Sequence, residues 1–206
     1  MLKIPIEDLQ SSQVRSTIIE QLKLGAIIAY PTDTVVGIGC IGTRQFVVEK
    51  LFHSKQRDSS QPVSFAFSSL QMVEKYALIP PNAQKLLSLL PGPITLILPT
   101  SRTSEKLYGL TGDSIGIRIF DLPVLSMLIE ELGEPIITTS ANISGQAVAS
   151  SSAELDEELL SWLDVLITSV KTFDGEPSTV VSCIDDIKIL REGAITSKTI
   201  FDLLSS

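Results

Sequence analysis

The sequence holds few of the residues that support metal, disulfide or histidine chemistry. Its 206 residues include two cysteines, one histidine and 5% aromatic side chains. Cys40 and Cys183 lie far apart and form no CxxC or Cys/His cluster, which argues against a zinc site or a disulfide framework and indicates buried thiols in a reducing compartment. His53 has no triad signature around it, and the absence of a GxxxxGK[ST] motif excludes a P-loop.

Long apolar runs and an excess of basic residues are also missing. No apolar run reaches the roughly 18 residues of a membrane span, and the N-terminus lacks the apolar region of a signal peptide, so we expect a soluble, cytoplasmic protein without membrane contact. Lys and Arg number 16 against 24 Asp and Glu, a net charge of -8. Such a chain repels nucleic acid overall, and contact with RNA would need a local basic patch.

What the sequence does contain is a regular alternation of apolar runs and helical patterns. A chain of this size can bury roughly 70% of its unfolded surface around one core, which predicts a single domain over residues 1–206. Periodicity predicts helices at 11–24, 43–54, 69–76, 82–90, 122–132, 149–163 and 196–204. Apolar runs predict strands at 26–30, 63–67, 94–98, 115–119, 135–138, 165–167, 179–183 and 187–190. The fold class is therefore α/β, with a twisted mixed β-sheet flanked by helices.

The stretch 26–40 brings polar groups to the end of a buried strand. Its apolar part is followed by Pro31, by Thr32-Asp33-Thr34 and then by glycines. Residues 37–42 match the GxGxxG pattern of dinucleotide sites. However, polar residues separate them from the strand, and the acid about 20 residues on, Asp58, precedes the next strand instead of ending it. We interpret the glycines as positions of close packing.

Two short motifs offer polar groups next to apolar elements. Lys55 and Arg57 leave a helix and suit a triphosphate or a carboxylate, although basic residues at a helix end also favour the macrodipole. Ser140 and Asn142 follow a buried strand, where open sheets bind ligands, although the same residues suit an ordinary turn.

Arg118 is the single residue that most clearly indicates an anionic partner or ligand. The period of two in strand 115–119 places it with Gly116 on one face, opposite the isoleucines. A guanidinium facing a sheet interior needs an anionic partner, either Asp/Glu or a ligand. Arg191 resembles it at a sheet edge. Together, the cations, hydroxyls and one amide suit the binding and neutralising of an anionic substrate, as in phosphoryl and nucleotidyl transfer.

Six segments, in order, carry a resemblance to a known family. They are Tyr30 to Gly39, Lys55 to Arg57, Pro91 to Thr95, Ser140 to Gly145, Pro177 to Val181 and Leu190 to Gly193. The sequence resembles the YrdC family, whose members include L-threonylcarbamoyladenylate synthases and whose fold surrounds a large central cavity. The resemblance implies that L-threonine, bicarbonate or CO2, and ATP give threonylcarbamoyl-AMP and pyrophosphate. Other proteins would transfer the threonylcarbamoyl group to adenosine 37 of tRNAs reading ANN codons.

The resemblance also implies roles for individual residues. The catalytic and phosphate-binding set is Lys55, Arg57, Ser140 and Asn142. Further nucleotide contacts are Ser114 and Arg191, and the threonine contacts are Thr34, Arg118, Thr138 and Ser178. ATP is a substrate in this reaction, Mg²⁺ is expected to accompany it, and no metal site built by the protein is implied.

Departures from the family pattern occur close to these residues. Val36 stands where the family commonly has an aromatic residue, Asp58 replaces a proline, and Gln61 replaces a lysine or asparagine. Two alternatives stay open. One is a module without catalysis that binds double-stranded RNA or tRNA or acts in ribosome maturation. The other is carbamoyl transfer, as in the YrdC-like part of hydrogenase maturation proteins. The acylphosphatase and zinc-finger segments of those proteins are missing from this sequence, which argues against carbamoyl transfer.

Overall fold

A twisted ten-stranded mixed sheet with helices forms the core of the computed structural model, which describes residues 1–170 and 176–205. The strands are β1 (Leu2–Pro5), β2 (Ile28–Pro31), β3 (Val36–Gly39), β4 (Ser64–Ala66), β5 (Ile94–Pro99), β6 (Ser114–Arg118), β7 (Ile136–Ser140), β8 (Val165–Thr168), β9 (Thr179–Ser182) and β10 (Lys188–Arg191). The helices are α1 (Ser12–Leu24), α2 (Gln45–Ser54), α3 (Leu70–Tyr76), α4 (Pro123–Leu132), α5 (Glu157–Ser161) and α6 (Ser197–Ser205). The α/β prediction is confirmed.

The strand order is β1-β8-β2-β3-β7-β4-β6-β5-β9-β10. Parallel pairs join β1 to β8, β8 to β2, β4 to β6 and β5 to β9, and the remaining neighbours are antiparallel. The centre of the sheet is therefore formed by strands from distant parts of the chain. This topology places residues of the 30s beside residues near 140, and residues near 116 beside those near 64 and 97.

Local sequence explains the bounds of the best-defined helices. Helix α1 ends at Gly25, whose φ of 99° lies in the left-handed region that glycine tolerates. Helix α4 begins at Pro123, which has no N–H to lose at that position, and ends at Gly133 with a φ of 80°. Their buried residues repeat at helical spacing and face the core, as the periodicity predicts.

The structure differs from the sequence-based prediction in four elements. Strand β1 was not predicted, and β3 was interpreted only as close-packed glycine. The helix predicted at 82–90 is wrong as an α-helix: the segment forms two 3-10 helices, Pro81–Ala83 and Lys85–Leu89. The long surface helix predicted at 149–163 is reduced to a 3-10 turn, Ser152–Glu154, and the short α5. Among the described residues, no helix is long and apolar enough to cross a membrane.

Candidate functional site

A cavity of about 580 Å³ lies over one face of the sheet. Its volume falls within the range of about 300–1,000 Å³ that is usual for small-molecule sites. Seven strands, β3 to β7, β9 and β10, contribute lining residues. Three arginines line it, and no Asp or Glu of the described part of the chain does. The cavity is thus cationic although the whole chain carries a net charge of -8.

Sheet register brings the floor of the cavity together. Ser64 on β4 lies opposite Thr138 on one side and Gly116 on the other, and Gly116 lies opposite Ile97. A Cβ at Gly116 would lie 3.0 Å from the Ser64 hydroxyl, so the absence of a side chain at Gly116 leaves space at this point of the cavity. Because side chains alternate along a strand, Arg118 projects from the same face, two residues further along β6.

Most of the residues predicted for the site do meet in this cavity. The lining includes Thr34, Arg57, Ser114, Arg118, Thr138, Ser140, Ser178 and Arg191. Lys55 and Asn142 are not in the lining, but both form hydrogen bonds with Ser140, which is. The substrate contacts of all ten residues stay predictions.

Arg57 lies at one end of the cavity, where β7 ends. Its Nη1 donates to the Thr139 hydroxyl at 3.3 Å, and its Nη2 donates to the carbonyl of Pro62 at 2.7 Å. The buried Nε–H of Arg57 has no hydrogen-bond partner among the described residues. Burial lowers the pKa of this guanidinium, and an oxygen anion at this position would offset that cost.

Lys55 is only 2% exposed and its ammonium contacts the backbone. Its Nζ donates to the carbonyls of Ser140 and Asn142, each at 2.5 Å, and its own carbonyl accepts from the N–H of Ser144 at 3.0 Å. Three hydrogen bonds therefore attach the end of α2 to the loop after β7. Burial, and then the charge of Arg57, lowers the pKa of Lys55 to about 7.

Asn142 stabilises the same loop through hydrogen bonds of its side chain. Its side-chain oxygen accepts from the Ser140 hydroxyl at 2.6 Å, and its amide donates to the carbonyls of Ile143 at 3.1 Å and Gln146 at 2.7 Å. These contacts fix the turn and orient the hydroxyl of Ser140, which lines the cavity.

Arg118 lies at the opposite end of β6 from Ser114, about 13 Å away at the usual rise per residue. Its Nη2 forms a buried ion pair with a carboxylate oxygen of Asp33, and its guanidinium lies 5.0 Å from the centre of the Phe120 ring. Asp33 is therefore the anionic partner that the sequence predicts for Arg118. The Nε–H of Arg118 is buried and has no partner among the described residues. Burial lowers the pKa of Arg118, and Asp33 acts against this shift.

Arg191 and Ser178 form a second polar group near Arg118. Arg191 donates from Nη2 to the Ser178 carbonyl at 2.8 Å, and the Ser178 hydroxyl lies 2.9 Å from that of Thr95. Arg191 is close enough for its charge to lower the pKa of Arg118. A residue predicted to contact the nucleotide therefore lies beside residues predicted to contact threonine.

Sequence reasoning missed Asp33, Thr95 and Phe120 as parts of the site. Asp33 was visible as a carboxylate between two threonines, but its pairing with Arg118 spans 85 positions of the chain. Thr95 lies in a segment that carried the resemblance, without a predicted role. Nothing in the local sequence marks Phe120 as a neighbour of a guanidinium.

Comparisons with known proteins identify the sequences that this chain resembles. A family model described as telomere recombination, for Sua5, YciO and YrdC, matches residues 20–193. A Methanocaldococcus jannaschii protein is 35% identical over 192 residues, covering 90% of each chain. The threonylcarbamoyl-AMP synthase of Xanthomonas euvesicatoria is 34% identical, covering 75% of this chain and 82% of its own.

Solved structures show the same fold. Pyrococcal Sua5 (P. abyssi) in complex with L-threonine superposes with a TM-score of 0.85 at 26% identity over 98% of this chain, which spans 60% of that protein's length. Escherichia coli YciO superposes with a TM-score of 0.81 at 24% identity, over 92% of this chain and 93% of its own.

Proposed function

The chain belongs to the Sua5/YciO/YrdC family, and we propose that it is a threonylcarbamoyl-AMP synthase, a nucleotidyltransferase that uses ATP. It joins L-threonine, bicarbonate or CO2, and ATP, and releases pyrophosphate. The product then serves other proteins that modify adenosine 37 of tRNA. The complex of the P. abyssi relative with L-threonine supports the amino-acid substrate.

One observation carries the proposal: three arginines line a single cavity whose described lining contains no Asp or Glu. Arg57 lies beside Thr139 and Pro62, whereas Arg118 lies beside Phe120 at the end of β6. Guanidinium groups are suited to binding carboxylates and phosphates. Two cationic positions in one cavity can hold two anionic groups at once, as expected of an enzyme that joins an amino acid to a nucleotide.

Arg118 binds the threonine carboxylate in this proposal, and Thr34, Thr138 and Ser178 lie around the rest of the amino acid. The threonine amine adds to CO2, loses a proton and becomes a carbamate; starting from bicarbonate, this step releases water. A carbamate oxygen attacks the α-phosphorus of ATP, the bond to the β-phosphate oxygen breaks, and pyrophosphate leaves. The cavity holds the two reactants in this geometry, which is the main source of rate in such transfers.

Arg57 offsets the charge that develops on the leaving pyrophosphate, and Ser140 and Ser114, which also line the cavity, are assigned to the nucleotide by resemblance. Arg191 is assigned to the nucleotide by resemblance, although it lies near Arg118. Lys55 and Asn142 act in this proposal by fixing the loop that presents Ser140. The described residues include no group of three His, Cys, Asp or Glu side chains able to hold a metal ion, so Mg²⁺ would enter with the phosphates of ATP.

Pyrophosphate release is the direct test. We expect release that requires L-threonine, bicarbonate and ATP together, with threonylcarbamoyl-AMP as the second product by mass spectrometry. Release that is independent of threonine, or no release at all, would refute the proposal.

Substitution of Arg57 tests the phosphate assignment. Arg57→Ala removes the cation at the phosphate end, and we expect kcat/KM to fall by a factor of about 100 or more while the protein stays folded by circular dichroism. Arg44→Ala is a matched control, since Arg44 is outside the cavity lining. Normal turnover in Arg57→Ala would show that Arg57 does not bind the phosphates.

A further inference from the structure

Ser64 places a hydroxyl on the floor of the cavity. The residue is half-buried on β4 and lines the cavity, and its hydroxyl forms no hydrogen bond within the described part of the chain. Two other serines of the lining differ in this respect, because the Ser140 hydroxyl donates to Asn142 and the Ser178 hydroxyl pairs with Thr95. The Ser64 hydroxyl is therefore available to a group bound in the cavity.

Sheet register places Ser64 between the two ends of the cavity. On β6, Gly116 lies halfway between Ser114 and Arg118, about 7 Å from each at the usual rise per residue. Ser64 lies directly beside Gly116 on the neighbouring strand, about 5 Å away. Ser114 is assigned to the nucleotide and Arg118 to threonine. Ser64 therefore lies where a group that joins the two substrates has to pass.

The neighbours of Ser64 leave its hydroxyl uncovered on one side. A Cβ at Gly116 would lie 3.0 Å from the Ser64 Oγ and 3.5 Å from its Cα, so any side chain there would fill the space beside the hydroxyl. On the other side, Thr138 lies opposite Ser64 in the antiparallel pair, where side chains are about 5 Å apart. A gap bordered by two hydroxyl-bearing residues suits a small group that carries oxygen atoms.

We propose that Ser64 and Gly116 form the subsite for the one-carbon substrate, bicarbonate or CO2. The Ser64 hydroxyl donates a hydrogen bond to an oxygen of this group and of the carbamate made from it, and Gly116 provides the space. This subsite rests on the proposed function, because the carbon has to join the threonine amine before a carbamate oxygen bonds to the α-phosphorus. Ser64 keeps its proton throughout and acts only as a hydrogen-bond donor to the carbamate.

Steady-state kinetics of pyrophosphate release in CO2-depleted buffer, with one substrate varied at a time, isolates this effect. We expect Ser64→Ala to raise the KM for bicarbonate about tenfold or more and to leave the KM values for L-threonine and ATP within about twofold of wild type. Ser64→Thr keeps the hydroxyl and should recover most of the wild-type KM for bicarbonate. Gly116→Ala fills the space beside the hydroxyl and should raise this KM as Ser64→Ala does.

Ser182→Ala is the matched control, because Ser182 is a half-buried serine of the same sheet, on β9, that lies outside the cavity lining. This variant should keep all three wild-type KM values.

A similar rise in all three KM values of Ser64→Ala, or a rise for L-threonine or ATP alone, would overturn the subsite. If Ser64→Ala has no turnover, calorimetric titration decides: retained binding of L-threonine and ATP supports the subsite, and loss of either overturns it. Without threonine-dependent pyrophosphate release by the wild-type protein, the proposed function itself fails. If the wild-type protein is active and Ser64→Ala has the same kinetics, only the subsite proposal fails.

Discussion

Lys55 and Arg57 are two residues apart, yet their side chains have different surroundings. Arg57 lines the cavity, whereas the Lys55 ammonium is enclosed by backbone carbonyls of the loop after β7. Sequence alone predicts that both cations occur near the site, because they leave a helix together. It does not distinguish a cation that faces a ligand from one that fixes a loop, since that depends on where residues 140–144 fold.

The buried ammonium of Lys55 should make stability depend on pH. Its pKa is lowered to about 7, while in the unfolded chain a lysine keeps its proton up to about pH 10.4. Between these values the unfolded state binds the extra proton, so raising the pH stabilises the folded state by up to about 1.4 kcal/mol per pH unit. Below about pH 7 Lys55 is charged in both states, and the folded state bears the full cost of burying its ammonium.

Lys55→Met removes this contribution. The difference in the free energy of unfolding between wild type and Lys55→Met should increase in favour of wild type from about pH 7 to about pH 9, as measured by urea unfolding. Arg57→Met removes the positive charge that contributes to the low pKa of Lys55, so this pKa should rise. The pH-dependent gain in stability should then begin at a higher pH. Parallel pH profiles for wild type and Lys55→Met would contradict this assignment.

At the scale of elements, strand β3 shows what periodicity misses. Two of its four residues are glycines, which have low β propensity, and the strand is nevertheless central because β2 and β7 pair with it on both sides. Gly39 lets the backbone of β7 approach: a Cβ there would lie 2.0 Å from the Ile137 carbonyl oxygen. At Gly37 a Cβ would meet only side chains, at 3.0 Å from Thr32 and 3.1 Å from Tyr30.

Alanine at these two glycines should therefore have different effects. Gly39→Ala must displace backbone and should lower the free energy of unfolding by about 3 kcal/mol or more, by urea denaturation. Gly37→Ala should cost about 1 kcal/mol and act mainly on ligand binding, because Gly37 lines the cavity. Equal destabilisation by the two variants would show that the approach of β7 to β3 is not the constraint.

The elements that sequence reasoning predicted well are those with local signals. Helices α1 and α4 have clear periodicity and a glycine that ends them, and the apolar run of β5 is long. The segment 81–89 forms two 3-10 helices, and its apolar pattern does not distinguish these from one α-helix, because both place residues three apart near each other. Strand β1 pairs only with β8, more than 160 residues away, so its short sequence carries no local evidence of pairing.

At the scale of the whole molecule, charge is distributed unevenly. The chain has a net charge of -8, while Arg57, Arg118 and Arg191 face the cavity. An RNA-binding module would instead need cations spread along an outer surface to contact successive phosphates. The arrangement favours small anionic substrates, and binding to tRNA that is steeply dependent on salt and independent of ATP would argue for the alternative.

The cavity also connects parts of the chain that are distant in sequence, since its lining runs from Thr32 to Arg191. Ligands that bind only the folded state raise its stability, by about 2.7 kcal/mol at a concentration of 100 times Kd. We expect L-threonine and ATP each to raise the midpoint of thermal unfolding of the wild-type protein. Arg118→Met should lose the response to L-threonine and keep that to ATP, and Arg57→Met should show the reverse, because the two guanidinium groups serve different ligands. Loss of both responses in either variant would mean that the cavity responds as one site, without separate ends for the amino acid and the phosphates.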